Sequence, residues 1–222
     1  MGAGEERASG IFVTGTGTQV GKTVVSAVIA RTLAGEGRKV TVFKPAVTGL
    51  DERGESDHEL LRRASGSSQR DAEIAPYRYD PPASPHLAAA LAGEEIDPER
   101  LRDAAGAAAA HADVLVCEGV GGLLVPLSPG YLVRDLAVDL SFPLVVVASP
   151  GLGTINHTLL TIEAARAARL EVATIVLTPW PGAPSEIERS NRETIASLAA
   201  VEVQTLPRID LADPESWPPL RV

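Results

Sequence analysis

The segment Gly15-Thr16-Gly17-Thr18-Gln19-Val20-Gly21-Lys22-Thr23 constrains this chain more than any other feature. It lies between a short apolar run, Ile11-Phe12-Val13, and a helical stripe of Val25, Val28, Ile29 and Leu33. A strand that passes into a helix through glycines is suited to hold an anion. Glycines remove Cβ, successive backbone N–H groups form a nest, and the helix N-terminus adds positive potential. Lys22 then bridges phosphate oxygens and Thr23 offers its hydroxyl to Mg²⁺. The spacing is unusual, because five residues separate Gly15 from Gly21 and Thr16 stands where the first glycine is expected. A glycine-rich turn with an incidental lysine is the alternative, and the strand–loop–helix setting disfavours it. Nucleotide binding is the expectation.

The rest of the chain continues the alternation. Gly35 and Gly37 stop the first helix, and Lys39 to Phe43 reads as a second strand. Residues 45–58 and 66–86, rich in Gly, Ser, Asp and Pro, read as loops. Asp97-Pro98-Glu99-Arg100 opens a helix with a capping Asp and Pro at its first position, and an Ala-rich stretch carries it to His111. Val114 to Cys117 and Leu144 to Ala148 are apolar at every position, so both are strands covered on two faces, as in a parallel sheet. Ile155, Leu159 and Ile162 mark a helix with Arg166 and Arg169 at its favourable C-terminal end. Thr174 to Leu177 is a further strand, and Ile187, Thr194, Ile195 and Leu198 a further helix. Asp213 to Pro219 cannot form a regular helix interior and reads as a surface tail. No internal repeat or low-complexity linker interrupts the pattern. The expectation is one α/β domain over residues 1–222 with a mainly parallel sheet, residues 1–9 and 211–222 being peripheral.

Composition excludes several classes. At 222 residues, 45% hydrophobic and 22% charged, the chain is long and apolar enough for a full core. The longest apolar run, Phe142 to Ala148, is seven residues and includes Pro143. A membrane-spanning helix needs about 20 apolar residues. The segment Met1 to Arg7 has no apolar signal core, and one cysteine, Cys117, permits no internal disulfide. Both fit a cytoplasmic protein. A net charge of −9 argues against nucleic-acid or anionic-membrane partners, and 4% aromatics leave few stacking platforms. Small molecules remain as partners, and acidic ones only where specific cations meet them.

Three further residues bear on chemistry. Mg²⁺ bound to a triphosphate wants more oxygen ligands than one hydroxyl. Glu118 ends an apolar strand just before Gly119-Val120-Gly121-Gly122, at the C-terminal rim where open α/β sheets bind ligands. A solvated strand-end acid is its plain alternative. Asp57 lies in a polar loop before a helix, and helix capping competes evenly with metal binding. Cys117 reads as a buried small apolar residue.

Several blocks, taken in order, resemble the dethiobiotin synthetase family. They are Val13 to Thr16 with Gly21-Lys22-Thr23, Lys44-Pro45-Ala46-Val47-Thr48-Gly49, Ser56-Asp57, Pro76-Tyr77, Ser84-Pro85-His86, Glu118 to Leu123, and Gly151-Leu152-Gly153-Thr154-Ile155-Asn156-His157. They cover residues 10 to 178, and the lysine-proline and Ile-Asn-His blocks are the specific ones. The resemblance implies a P-loop NTPase-type fold, with helices on both faces of the sheet. It also implies a cyclo-ligase reaction. An amine of 7,8-diaminopelargonate takes up CO₂, the carbamate attacks the γ-phosphate of ATP, and the second amine closes a cyclic urea with release of phosphate.

The resemblance implies roles for named residues as well. Lys22 and Lys44 are the catalytic cations, Lys44 lying near carbamate and γ-phosphate. Thr23, Asp57 and Glu118 hold Mg²⁺. Gln19, Val20, Gly21, Lys22, Thr23 and Val24 bind nucleotide, with Thr178 and Pro207 near the base. Thr18, Thr48 and Gly121 line the diamine site. Gly153, Thr154, Ile155 and Asn156 come from a second subunit and hold the substrate carboxylate, so a homodimer is implied. His157 reads as a packed or satisfied histidine rather than a catalytic one, and Asn191 as a weak interface or substrate candidate beside the plain reading of a satisfied helix asparagine.

Departures and rivals complete the reading. Gly17 and Gln19 replace acids frequent in the family's loop. Thr178-Pro179 stands where the family often reads adenine with an Asn side-chain amide. A nucleotide-switch ATPase of the partitioning type is the main rival, but its signature lysine, five residues before Lys22, is Gly17 here. Amide-forming synthetases of cobalamin synthesis usually need a glutamine-handling domain, for which the length leaves no room. The change at Thr178 predicts relaxed base selection: kcat/KM should be comparable for ATP and CTP, and an ATP preference of several hundredfold would refute it.

Overall fold

The structure is a computed structural model that describes residues 9–50 and 54–222. Its elements in chain order are β1 (Gly10–Gly15), α1 (Lys22–Gly35), β2 (Val40–Phe43), β3 (Ala46–Thr48), α2 (Asp57–Ser65), α3 (Asp71–Ile74), β4 (Tyr77–Tyr79), α4 (Pro85–Leu91) and α5 (Pro98–Ala109). There follow β5 (Val114–Gly122), β6 (Pro126–Ser128), β7 (Tyr131–Leu132), α6 (Val133–Leu140), β8 (Leu144–Ala148), α7 (Thr154–Ala167), β9 (Val172–Trp180), α8 (Glu186–Ala199) and β10 (Val203–Pro207). A single 3-10 turn, Pro214–Ser216, precedes the last residues.

Six strands form one parallel sheet in the order β10-β9-β8-β1-β5-β2. The apolar runs predicted this, since strands covered on both faces carry apolar side chains on both. Period-two alternation then divides them. Val13, Val42, Val114, Val116, Val145 and Val147 point to the face covered by α1 and α2. Phe12, Phe43, Leu115, Cys117 and Leu144 point to the opposite face, against α5 and α6, and Val146, Ile175 and Leu177 meet α7 and α8 there. The expected fold class is observed, with helices on both faces. Among the described residues, no helix is long and apolar enough to cross a membrane.

Local chemistry explains the helix ends. Asp97 caps α5, its carboxylate accepting from the Glu99 N–H at 2.9 Å. That helix stops at Ala109, short of the expected His111. At α2, the Ser56 N–H and hydroxyl both donate to Glu59 Oε2, at 2.9 and 2.7 Å.

Four expectations are corrected. Residues 45–58 and 66–86 are not loops throughout: β3 and β4 form a parallel pair, and α3 and parts of α2 and α4 fall in the same stretches. Tyr77 and Tyr79 are buried with exposed-side Arg78 between them, an alternation too short to register as a pattern. The strand at Val114 runs on to Gly122, pairing Gly122 with Gly15. On α8, Ile195 is buried but Ile187 and Leu198 are more than half exposed. The end of the chain is not a surface tail, because Trp217 and Leu220 are 8% and 3% exposed within the α1–α2 core. Proline prevents a helix there but not packing. Arg31 Nε donates to the Pro214 carbonyl at 2.6 Å, and the Leu220 N–H donates to the Thr32 hydroxyl at 3.1 Å. The tail expected at residues 1–9 lies, except for Ser9, outside the described residues, as do residues 51–53 of the stretch 45–58.

Trp217 therefore contributes to the core. Trp217→Ala should destabilise the chain by about 3 kcal/mol, within the range for a buried aromatic lost to alanine. A urea midpoint equal to that of the unsubstituted chain would show the segment to be peripheral after all.

Candidate active site

Alternation carries two charged side chains to one place. β2 and β5 are adjacent, with Phe43 paired to Cys117. The next residues, Lys44 and Glu118, share parity with Val42 and Val116, so both project to the α1 face. There the N-terminus of α1 brings Lys22 and Thr23. The backbone of Lys44 is pinned by its N–H, which donates to the Ile74 carbonyl at 2.8 Å. Asp57 enters as the first residue of α2.

The contacts among them are short. Lys44 Nζ lies 2.6 Å from Asp57 Oδ2 and 2.5 Å from Glu118 Oε1. The Thr23 hydroxyl is 3.0 Å from Asp57 Oδ1 and 2.9 Å from Glu118 Oε1. Glu118 is fully buried and its Oε2 has no hydrogen-bond partner. Burial disfavours the Lys44 ammonium, but Glu118 and Asp57 outweigh it and hold its pKa above the ordinary value. Burial would raise the Asp57 carboxyl, and Lys44 instead holds it below the usual range. Burial pushes Glu118 up, with Lys44 opposing. Lys22 is lowered by burial despite Glu118. Its Nζ donates to the Gly17 carbonyl at 2.8 Å, folding back over its own loop. Gly15 makes room for that path: a Cβ there would lie 3.0 Å from Lys22 Cδ and 2.8 Å from Val20 Cγ2.

These groups sit in a cleft of about 1250 Å³. Thr18, Gln19, Gly21, Val24, Thr48 and Gly121 line it together with Lys22, Thr23, Lys44, Asp57 and Glu118. Such a cleft has room for two reactants of moderate size.

A family model described as an AAA domain matches residues 9–216. The ATP-dependent dethiobiotin synthetase BioD of Bacillus subtilis (strain 168) is 37% identical over 195 residues, covering 87% of this chain and 84% of that protein. The proteins of the same name from Rhodococcus erythropolis and Anaeromyxobacter sp. (strain K) are 42% and 43% identical, over 86% and 85% of this chain and 84% and 89% of theirs. The chain belongs to the dethiobiotin synthetase family. Among solved structures, the MinC:MinD cell division protein complex of Aquifex aeolicus matches 91% of this chain and 82% of its own with a TM-score of 0.59. At 16% identity that likeness concerns the fold alone.

Not every residue singled out by resemblance to dethiobiotin synthetases gathers in the cleft. Val20 packs against the α1–α2 core. Thr178 is 3% exposed, and Pro207 ends β10 away from the cleft lining. Gly153, Thr154, Ile155 and Asn156 form the start of α7, also away from that lining. Gly153 is the N-cap there and no side chain caps the helix, so neither Thr154 nor Asn156 does. The Thr154 hydroxyl is buried 3.4 Å from that of Thr158, and its N–H donates to the Gly151 carbonyl at 3.3 Å. His157 is exposed rather than packed. Asn191 is a satisfied helix asparagine, its amide donating to the carbonyls of Pro150 and Gly151 at 3.0 and 3.1 Å.

The sequence reading missed His58 and Arg78, which line the same cleft. His58 Nδ1 is 3.0 Å from the Ser56 hydroxyl, and Arg78 lies 3.6 Å from Asp71, which already pairs with Arg62. Only the Tyr-Arg-Tyr alternation hinted at Arg78.

Gly21 is the tightest point of the loop. Its φ is +96°, and a Cβ there would come within 2.7 Å of Thr178 Cγ2. Gly21→Ala should cost about 1–3 kcal/mol, from the left-handed backbone and the contact together. Thr178→Ser added to it should restore part of that. Gly17→Ala, with nothing near its Cβ, should stay within about 0.5 kcal/mol of the unsubstituted chain. Chemical unfolding of the four proteins is the check, and equal stabilities for both glycine variants would sink the argument.

Proposed function

We propose that this chain is a single-domain, ATP-dependent dethiobiotin synthetase that carboxylates 7,8-diaminopelargonate and closes the ring. The observation that carries this reading is the meeting of Lys22, Thr23, Lys44, Asp57 and Glu118 in one cleft at the mouth of the glycine-rich loop. The reaction must bring a carbamate against a phosphate chain. Two anions in contact repel by several kcal/mol at protein-like screening, so cations must stand between them.

The bonds follow in order. One amine nitrogen attacks CO₂ and loses a proton, giving the carbamate. A carbamate oxygen attacks the γ-phosphorus and ADP leaves. The second amine attacks the carbonyl carbon of the mixed anhydride, phosphate leaves, and the cyclic urea results. Backbone N–H groups of Gln19, Val20 and Gly21 cradle the phosphates, with Thr23 and Val24 at the helix start. Lys22 neutralises the phosphates and Lys44 the carbamate–γ-phosphate contact. Thr18, Thr48 and Gly121 orient the diamine, while Thr178 and Pro207 border the base.

Thr23, Asp57 and Glu118 fit a Mg²⁺ ion. They are hard oxygen donors, and Glu118 Oε2 is buried without a partner. Among the described residues there is no cluster of three or more His, Cys, Asp or Glu that would hold a metal alone. Two carboxylates and a hydroxyl instead suit an ion that also takes phosphate oxygens. Bound there, it would neutralise charge on the triphosphate.

The start of α7 lies outside the cleft, which suits a homodimer in which Gly153, Ile155 and Asn156 of one protomer meet the substrate carboxylate in the other, through backbone N–H groups. A cytoplasmic location fits the substrates. Relatives of the switch-ATPase alternative often carry a lysine five residues before the phosphate-loop lysine, where this chain has Gly17.

Protein, Mg²⁺ATP, bicarbonate and the diamine should yield phosphate and a product heavier than the diamine by CO₂ minus water. Phosphate release indifferent to the diamine would instead support the switch. Lys44→Ala should nearly abolish ring closure while nucleotide still binds, whereas Lys22→Ala should lose affinity and turnover together. Near-normal turnover of Lys44→Ala would remove its assigned role.

A further inference from the structure

The Lys44 ammonium does not project freely into the cleft. It is wedged between two carboxylates, 2.6 Å from Asp57 Oδ2 and 2.5 Å from Glu118 Oε1. The Thr23 hydroxyl takes Asp57 Oδ1 and shares Glu118 Oε1. Three of the four carboxylate oxygens are thus already engaged, and Glu118 Oε2 alone has no partner. These are the same oxygens assigned above to the divalent ion. Such an ion needs its oxygens at about 2.0–2.1 Å in a near-octahedral set. It cannot share one small pocket with an ammonium, because like charges that close repel strongly where water is scarce.

We propose that Lys44 is an exchangeable counter-cation: the divalent ion arriving with nucleotide takes over Asp57 and Glu118, and the lysine so released turns to the anionic reactants. The inference rests on the metal placement given above and adds an order of events to it. Two carboxylates and a hydroxyl are too few ligands for a free divalent ion to displace an ion pair this close. Phosphate oxygens complete the set, so metal and nucleotide must arrive together for the exchange. The cation that the chemistry needs is thereby delivered only once the triphosphate is in place. Until then it neutralises two acids that would otherwise be left close together, one of them fully buried.

The chain contains three lysines, Lys22, Lys39 and Lys44, so side-chain ¹⁵N labelling of lysine gives a spectrum that Lys39→Arg and Lys44→Met suffice to assign. In the free protein the Lys44 ammonium signal should be protected from exchange with water. Mg²⁺ with a non-hydrolysable ATP analogue should move it and speed its exchange at least about fivefold, the low end for coupled sites. Neither MgCl₂ alone nor the analogue in EDTA should do so. A Lys44 signal unmoved by Mg²⁺ and analogue, or moved equally by analogue in EDTA, overturns the proposal.

A parallel sample with Mn²⁺ separates the two layers of the argument. If Mn²⁺ with analogue broadens the Thr23 and Glu118 amides while Lys44 stays protected, the exchange is wrong and the metal placement stands. If those amides are not broadened, the placement itself fails and the exchange with it. Lys44→Met, if folded, should bind Mn²⁺ without nucleotide at least about fivefold more tightly than the unsubstituted chain. Equal affinity also counts against the proposal, and should that variant not fold, the spectra of the unsubstituted protein decide.

Discussion

Lys44 carries a positive charge at 4% exposure, and the two carboxylates that make this tolerable come from distant parts of the chain. Glu118 lies 74 residues further on, at the rim of a neighbouring strand, and Asp57 opens a helix that follows β3. Burying one charge without the others would cost several kcal/mol, so the three stand or fall together. Their meeting fixes the entry of α2 against the N-terminus of α1. It also aligns the ends of β2 and β5 with the glycine-rich loop, which leaves β1 beside them. The site is in this sense a by-product of sheet register. Once Phe43 pairs with Cys117, the next residue on each strand has one place to go.

The same logic explains what the sequence made legible. Short, wholly apolar runs rich in valine, such as Val114 to Cys117 and Leu144 to Ala148, announced buried parallel strands because strands covered on both faces carry apolar groups on both. The glycine-rich loop declared itself through residue types that phosphate chemistry restricts. Glu118 was visible as an acid directly after an apolar strand and before three glycines, and Lys44 through the Lys-Pro-Ala-Val-Thr-Gly block that follows the second strand.

What escaped was short or negative. Strands β3 and β4 have three residues each, below the length at which alternation stands out from chance. Arg78 was hidden for that reason, and His58, the second residue of α2, belongs to no recognisable motif. The docking of Trp217 and Leu220 was masked by proline, which forbids a helix interior but says nothing about burial. On α8 the stripe was assigned to the wrong side, because Ile187 and Leu198 differ from Ile195 in position around the helix and not in residue type. The pairing of Lys44 with the very carboxylates assigned to a metal is not encoded in any local motif. It depends on three side chains converging from separate elements.

The close approach of Thr178 to Gly21 ties the rim of β9 to the glycine-rich loop at the edge of the cleft. Position 178 lies at the rim of β9, on the side expected to face the base, and Gly21 belongs to the loop that grips phosphate. A bulkier residue at 178 would press on that loop before it reached any base. On the proposed placement of the base beside Thr178, the two properties share one mechanical degree of freedom, and base selection could not be retuned there without loosening the hold on the phosphates. On the proposed placement of the base, changes in selectivity would be channelled instead to β10, whose last residue, Pro207, is exposed.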